Sequence, residues 1–178
     1  MPRILFLCGS LRRESASMAT VRALRAMLDG EAETELADIG ALPLYNADLE
    51  GDPAVAALIR AIEAADGLVF VTPEYNYSIP GVLKNAIDWA SRPAMNSVFK
   101  GRPCLVVSVS GGAMGGVRAQ GHLKYVLHGM LAHLHPVPEM VIPFAPKKVE
   151  DGVLADETVL DFIRPHLAGF AQSLPNAA

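Results

Sequence analysis

Residues 9–18, GSLRRESASM, place three hydroxyl groups and a guanidinium within one short stretch, which we call the serine loop. Ser10, Ser15 and Ser17 can donate hydrogen bonds, and the planar cation of Arg12 suits phosphate oxygens. The stretch follows an apolar run and enters a helix-period segment, so its backbone N–H groups and the positive end of that helix should face an anion. The serine loop therefore predicts a phosphate site, and serines that only cap the helix are the alternative.

The spacing of the serine loop limits which phosphate it could hold. Gly9 is its only glycine, so the loop is neither the G-x-G-x-x-G turn of dinucleotide sites nor a Walker A loop, which ends in Gly-Lys-Ser/Thr. A mononucleotide phosphate fits this pattern better than a pyrophosphate or a triphosphate.

A second polar stretch, TPEYNYSIPGVLKNAIDW, lies between an apolar run and a helix that Pro80 can start. Because the residue before a proline favours extended backbone, residues 73–80 are predicted to protrude, and we call them the tyrosine loop. The loop offers backbone amides and two tyrosine rings to whatever binds beside it. A flat ring system would use both features.

A third stretch, SVSGGAMGGVRAQG, places two Gly-Gly pairs directly before a helix-period segment. Glycines allow close approach of the backbone to a ligand, so the amide groups of residues 110–117, the glycine loop, could hold the polar edge of a ring. A tight connection between strand and helix explains the same glycines equally well. The combination of three such loops favours the ligand site.

The elements that must position these loops alternate between strand-length apolar runs and helix-period segments, which predicts a parallel sheet with helices on both faces. The economical arrangement is a five-stranded, doubly wound α/β sheet of flavodoxin-like order 2-1-3-4-5, which binds ligands at the carboxyl ends of its strands. Predicted strands are 3–8, 34–39, 67–71, 102–110 and a segment within 137–143. Predicted helices are 17–29, one with Pro53 in its first turn, one started by Pro80, 116–131, and a last one spanning Val159 to Phe170 that Pro165 kinks or divides.

Composition and charge exclude several classes of protein. At 178 residues and 51% hydrophobic content, the chain is predicted to be one domain, 1–178. Its apolar runs are shorter than the roughly 20 residues of a membrane-spanning helix, and its first residues do not resemble an export signal, so a cytoplasmic location is expected. The net charge of −4 with scattered basic residues argues against a nucleic-acid partner.

Metal chemistry is also not expected from the sequence. Cys8 and Cys104 lie inside apolar runs and are interpreted as buried side chains. Two cysteines cannot by themselves ligate an iron–sulfur cluster, which usually takes four thiolates. His133 and His135 stand two apart without a neighbouring carboxylate cluster, so no metal site is predicted.

The three stretches GSLRRESAS, PEYNYSIPGVLKNAIDW and SGGAMGGVRAQGHL together resemble the NADPH-dependent FMN reductase family, a flavodoxin-like group that includes quinone and chromate reductases. The second motif is the most specific of the three. The resemblance implies an FMN site in which the phosphate lies at the serine loop and the isoalloxazine ring lies between the other two loops. The implied cofactor-binding residues are Ser10, Arg12, Ser15, Ser17 and the Met18 backbone for the phosphate, Pro73, Glu74, Tyr75 and Asn76 beside the ring, and Ser110, Gly111 and Gly112 at its other edge.

The resemblance also implies an activity. Hydride would pass from NADPH or NADH to FMN, and then to a small-molecule acceptor such as a quinone, a flavin, an azo compound or chromate, in a ping-pong scheme. FMN carries this chemistry, so no catalytic side chain is expected. The amides of residues 110–112 would face the flavin N1 and O2 edge and stabilise negative charge there.

The family further implies homodimers or homotetramers with flavin sites at a subunit interface. Arg118 and Tyr125 are candidates for contacts between subunits, and a solvated helix face is the slightly favoured alternative for both. The sequence departs from the family at Ser17, where asparagine is frequent, and at Gly121, where a larger residue is usual. Serine retains a donor for the phosphate. Glycine at position 121 lacks the larger side chain that the family usually has there, so contacts between subunits at this position are not predicted.

Two other classes of function compete with the reductase. A flavodoxin-type electron carrier would hold FMN but receive electrons from a partner protein, and such carriers commonly present dense acidic surfaces that a net charge of −4 does not favour. A flavin-free binding domain is disfavoured because three polar loops converge on one edge of the predicted sheet.

Overall fold

The computed structural model describes residues 1–175 and contains a parallel sheet in the predicted order. β1 (Arg3–Cys8) lies between β2 (Glu33–Leu36) and β3 (Gly67–Pro73), and β4 (Pro103–Val109) follows β3. Two short strands, β5 (His133–Leu134) and β6 (Met140–Ile142), both pair with β4 in parallel. The flavodoxin-like order 2-1-3-4-5 is thus confirmed.

The fifth position of the sheet is divided, which the sequence did not predict. β5 pairs with the beginning of β4 and β6 with its end. Pro136 and Pro138 stand between the two segments, and a proline has no N–H to donate to a strand ladder. The predicted strand within 137–143 corresponds to β6 alone.

The helices lie on both faces of the sheet, as predicted. They are α1 (Ala16–Met27), α2 (Pro53–Ala64), α3 (Gly81–Ala90), α4 (Val117–Gly129) and α5 (Glu157–Ser173). Side chains of α1 and α5 pack on one face, and side chains of α2, α3 and α4 pack on the other. Between β6 and α5 the chain forms a 3-10 helix (Ala145–Lys148) and a hairpin of β7 (Val149–Glu150) and β8 (Val153–Leu154), none of which was predicted.

Pro165 does not divide α5, contrary to one of the two expectations for that residue. The helix continues through Pro165 for all of its 17 residues. Its apolar face, which includes Leu160, Ile163, Leu167 and Phe170, is buried in the core. Burial of that face stabilises the helix by more than the one backbone hydrogen bond that proline removes, since each fully buried large apolar side chain contributes about 1.5–3 kcal/mol.

The central strands are buried on both sides. In β1, Ile4 and Phe6 face one apolar cluster while Leu5 and Leu7 face the other. Cys104 is buried, and desolvation raises the pKa of its thiol to about 12, which makes it chemically inert. None of the helices described in the structure is long and apolar enough to cross a membrane.

Candidate functional site

The three polar loops leave the same edge of the sheet. The serine loop follows β1, the tyrosine loop follows β3 and the glycine loop follows β4, and these strands are parallel neighbours. A Cβ at Gly9 would lie 2.9 Å from Pro73 Cδ, so the first two loops touch where they leave the sheet. Glu74 forms an ion pair with Arg118 just beyond the glycine loop. The structure therefore brings all three loops together, as predicted.

Short-range hydrogen bonds shape the serine loop. Ser15 is the N-cap of α1, and its Oγ accepts the N–H of Met18 at 3.1 Å. Ser10 Oγ accepts the N–H of Arg12 at 3.4 Å. Because the first N–H groups of a helix have no acceptor within it, that of Ser17 remains available to an anion. Ser15 thus caps the helix, and the Met18 N–H expected at the phosphate is engaged by that cap.

The cation of the serine loop is exposed to solvent, whereas the three serines of the loop are buried. The three serines are buried, with exposed fractions of 4% for Ser10, 6% for Ser15 and 2% for Ser17. Arg12 is exposed, and the one hydrogen bond that its guanidinium makes within residues 1–175 goes to the Glu14 carbonyl oxygen, at 3.3 Å. Arg12 can therefore close over an anion while breaking little protein structure.

Arg22, which lies outside the serine loop, holds the loop in place, and its contacts were not predicted from the sequence. Its guanidinium donates to the carbonyl oxygen of Arg13 at 2.9 Å and to that of Gly152 at 2.7 Å. It joins the serine loop to the turn between β7 and β8. The helical period showed only that Arg22 lies off the apolar face, because its second partner is 130 residues away.

The tyrosine loop is a tight reverse turn. The N–H of Tyr75 donates to the Ser78 carbonyl at 2.9 Å, and the N–H of Ser78 donates to the Tyr75 carbonyl at 3.1 Å. The two central residues, Asn76 and Tyr77, have φ of 50° and 68°. Left-handed backbone at residues other than glycine costs on the order of 1 kcal/mol each, so surrounding contacts must hold this turn. Tyr75 and Tyr77 are 51% and 68% exposed.

Glu74 holds the tyrosine loop against α4. Its carboxylate accepts the N–H of Arg118 at 3.1 Å, the N–H of Ala119 at 3.3 Å and the Arg118 guanidinium at 2.9 Å. Burial of the carboxyl opposes its ionisation, but the hydrogen bonds from Arg118 and Ala119 outweigh that effect and lower the pKa of Glu74. The same guanidinium stacks on Tyr77, 4.5 Å from the ring centre.

The second glycine pair of the glycine loop packs directly against the sheet. Gly115 and Gly116 have φ of 58° and 84°, and a Cβ on Gly116 would lie 3.0 Å from Ser108 Cβ. Ser108 Oγ donates to the Gly115 carbonyl at 2.9 Å and accepts from the fully buried Gln120 side chain at 3.1 Å. The beginning of α4 is therefore fixed to the sheet by glycines that lack side chains and by buried hydrogen bonds.

The first glycine pair is less crowded than the second and has room for the edge of a flat cofactor. The nearest heavy atom to a Cβ on Gly111 would be 3.9 Å away, and to a Cβ on Gly112 3.7 Å away. The N–H of Gly112 is engaged by Ser110 Oγ at 3.1 Å, whereas that of Gly111 donates to no acceptor within residues 1–175. Of the two glycine amides predicted to face the flavin, Gly111 is the free donor. Together with the N-terminus of α1, these residues fit FMN.

The residues considered for contacts between subunits behave differently. Arg118 is exposed but paired with Glu74, so it does not stand free on a solvated helix face. Tyr125 is 81% exposed and fits the solvated face. A Cβ on Gly121 would meet nothing within 4 Å, so the fold of one chain does not require glycine there. Among residues 1–175, no three His, Cys, Asp or Glu side chains group to hold a metal ion.

The sheet order and the three loops at its carboxyl edge define a flavodoxin-like α/β protein. The chain belongs to the NADPH-dependent FMN reductase family, which matches residues 2–147. Membership makes it an oxidoreductase that uses FMN and either NADPH or NADH.

Similar proteins cover nearly the whole chain. The 2-hydroxy-1,4-benzoquinone reductase of a Burkholderia species is 40% identical over 172 residues, which cover 95% of this chain and 94% of the relative. The quinone reductase of Escherichia coli strain K12 is 40% identical over 177 residues, covering 96% and 94%. The solved structure of FerB, the flavoenzyme NAD(P)H:(acceptor) oxidoreductase from Paracoccus denitrificans, has a TM-score of 0.86 at 34% identity and covers 97% of this chain and 96% of FerB. The family resemblance seen in the three motifs is thereby confirmed.

Proposed function

We propose that this protein oxidises NADPH or NADH and reduces a quinone, with the two substrates binding in turn at one FMN site in a ping-pong scheme. The observation that carries the proposal is the meeting of the serine, tyrosine and glycine loops at one edge of the sheet. Relatives named for benzoquinone and quinone reduction support the class of acceptor.

The chain contributes binding and orientation, while bound FMN supplies the hydride-accepting and hydride-donating chemistry. The N-terminus of α1 and the guanidinium of Arg12 would attract the phosphate, and the Ser17 N–H would donate to it. The tyrosine loop and the first glycine pair would hold the ring, with the Gly111 N–H as a donor to its polar edge. The proposed cofactor residues are Ser10, Arg12, Ser15, Ser17, Met18, Pro73, Glu74, Tyr75, Asn76, Ser110, Gly111 and Gly112.

The exposed rings near the site favour flat acceptors. Tyr75, Tyr77 and Met114 are each more than half exposed on the tyrosine and glycine loops. Aromatic faces and a thioether stack readily on a planar quinone. The same open face would admit free flavins and azo compounds, and chromate is a further proposed acceptor that needs no stacking.

We further propose that the protein assembles as a homodimer or homotetramer. The family resemblance supports this proposal, and Leu44 and Met95, which are 83% and 63% exposed, are candidate side chains for the contact. Light scattering on the purified protein tests this directly, because a mass of one chain across the micromolar range would reject assembly.

Anaerobic mixing of the FMN-loaded protein with NADPH or NADH tests the proposed function. Rapid bleaching of the flavin absorbance, followed by its recovery on addition of a benzoquinone, is the expected result. Initial velocities would be measured at varied nucleotide concentration for several fixed quinone concentrations. Parallel lines in the double-reciprocal plot would support a scheme in which the two substrates bind in turn. A flavin that stays oxidised with both nucleotides, yet is reduced by a partner protein, would instead identify an electron carrier.

A further inference from the structure

Helix α4 begins without a capping side chain of its own. Its N-cap is Gly116, which has a left-handed φ of 84° and no side chain to accept a hydrogen bond. The N-caps Ser15 of α1, Asp52 of α2 and Asp156 of α5 each accept an N–H from their own helix. An uncapped helix start leaves backbone N–H groups without partners, which destabilises the helix.

Glu74 of the tyrosine loop supplies the missing cap. Its carboxylate accepts the N–H groups of Arg118 and Ala119, the second and third residues of α4, at 3.1 and 3.3 Å. The Arg118 guanidinium binds the same carboxylate at 2.9 Å. The Glu74 side chain is only 12% exposed, whereas that of Arg118 is 43% exposed, so the carboxylate is the better shielded partner. Glu74 therefore serves a helix 44 residues away in sequence.

The two partners of this contact differ in rigidity. The start of α4 is held to the sheet, since a Cβ on Gly115 would lie 2.9 Å from Val141 and Gln120 is fully buried. The tyrosine loop is a strained turn that protrudes from the end of β3. Besides the Glu74 contact, Tyr77 stacks on Arg118, and Ser78 Oγ and His122 Nδ1 form a hydrogen bond of 3.0 Å. Glu74 makes the charged contact that fixes the loop to the rigid helix.

We propose that Glu74 is a positioning residue for the cofactor: by capping α4 it fixes the separation of the tyrosine loop and the glycine loop, and with it the width of the slot for the flavin ring. The inference rests on the proposed FMN site and assigns Glu74 a role through Arg118 and Ala119. Its carboxylate also neutralises Arg118, so the slot is bordered by an ion pair and not by a free cation.

The variant Glu74→Gln tests the proposal, because it keeps the size of the side chain but removes the charge and one acceptor oxygen. We expect the Kd for FMN, measured by quenching of flavin fluorescence, to rise about tenfold. The midpoint potential of bound FMN should become more positive, because the Arg118 cation would then lack its counter-charge and would stabilise the anionic reduced ring.

Asp156→Asn is the matched control. Asp156 also caps a helix, accepting the N–H of Val159 at 3.0 Å, and also pairs with a cation, Lys148, but it lies outside the three loops. Both variants should lower the melting temperature of the FMN-free protein, whereas the control should leave the Kd and the potential unchanged. Glu74→Asp, which keeps the charge on a shorter side chain, should raise the Kd by less than Glu74→Gln and leave the potential near the wild-type value.

The outcomes separate the positioning role from the proposed function. An unchanged Kd and potential in Glu74→Gln, with a melting temperature lowered as in the control, would overturn the positioning role and leave only a helix cap. If Glu74→Gln did not fold, Glu74→Asp would decide, and a wild-type Kd for it would overturn the role equally. Failure of the wild-type protein to bind FMN would instead reject the FMN site itself.

Discussion

The two ends of the proposed FMN site, a phosphate end at the serine loop and a ring end at the tyrosine and glycine loops, are built in different ways. At the phosphate end, Ser15 caps its own helix through the N–H of Met18, three residues away. At the ring end, α4 is capped by Glu74, which lies 44 residues before Arg118 in the sequence. The first arrangement belongs to one segment of chain, and the second exists only where two segments meet.

The two ends also differ in charge. The serine loop leaves the Arg12 guanidinium exposed beside a helix N-terminus, which attracts an anion. The N-terminus of α4 is already occupied by the Glu74 carboxylate, and the nearby Arg118 cation is neutralised by the same group. Only the serine-loop end of the site therefore attracts a phosphate. We expect a phosphate-bearing cofactor to lie along the edge of the sheet with its phosphate at the serine loop and its ring towards α4.

The largest effect should come from Gly115→Ala, which adds a side chain where the glycine loop packs against residues 141 and 142. The new Cβ would lie 2.9 Å from Val141 Cβ and 3.1 Å from the backbone nitrogen of Ile142, at a φ of 58°. We expect a loss of about 3 kcal/mol in the free energy of unfolding, because a clash adds to left-handed strain. Urea denaturation measures it. In Gly112→Ala, where the Cβ has room, stability should change by less than about 0.5 kcal/mol.

The next largest effect is expected from Arg12→Ala, which removes the guanidinium from the phosphate end of the proposed site. Loss of one charge-assisted hydrogen bond of about 1.5–3 kcal/mol should raise the Kd for FMN by roughly 10- to 100-fold. Stability should hardly change, because Arg12 is exposed and its side chain hydrogen-bonds only to the Glu14 carbonyl among the described residues. Arg13→Ala removes the same charge one residue later. If both variants weakened binding equally, general attraction and not a contact of Arg12 would explain the affinity.

A smaller effect is expected from Tyr75→Ala at the mouth of the site. Loss of an aromatic face should raise the KM for a quinone by roughly two- to tenfold while leaving FMN affinity near wild type. Steady-state kinetics with a benzoquinone measure it, and Tyr75→Phe should behave as wild type because it keeps the ring. Unchanged constants for both the nucleotide and the quinone would remove Tyr75 from the substrate-binding surface.

The smallest effect is the pH dependence of the Glu74 contact. Because the folded-state pKa of Glu74 lies below its ordinary value of 4.5, the carboxylate contributes stability that is present above pH 4.5 and lost as the pH falls through the folded-state pKa. The stability difference between FMN-free wild type and Glu74→Gln should therefore be present at neutral pH and shrink in acid. His122, which contacts Ser78, is present in both wild type and Glu74→Gln, so its contribution cancels in the stability difference. A difference that stayed constant down to pH 3 would contradict the assignment.

Much of the fold could be predicted from the sequence because its signals are local. The apolar run before Gly9 predicted β1, and Pro53, which was predicted to lie in the first turn of α2, is the first residue of that helix. The fifth strand was only half predicted, since β5 has two residues and depends on its pairing with β4. The continuation of α5 through Pro165 was decided by burial of its apolar face, which local propensity does not report.

In the candidate site, too, the features with local sequence signals could be predicted, and the contacts between distant segments could not. A hydroxyl-rich and cationic loop before α1 can be read from the amino-acid order alone, because the cap, the free amides and Arg12 all lie within ten residues. The contact of Glu74 with α4 and the link that Arg22 makes between the serine loop and the β7–β8 turn became visible only in the folded chain. Hydrogen bonds between distant segments depend on strand order and register, which bring together groups that no spacing along the chain connects.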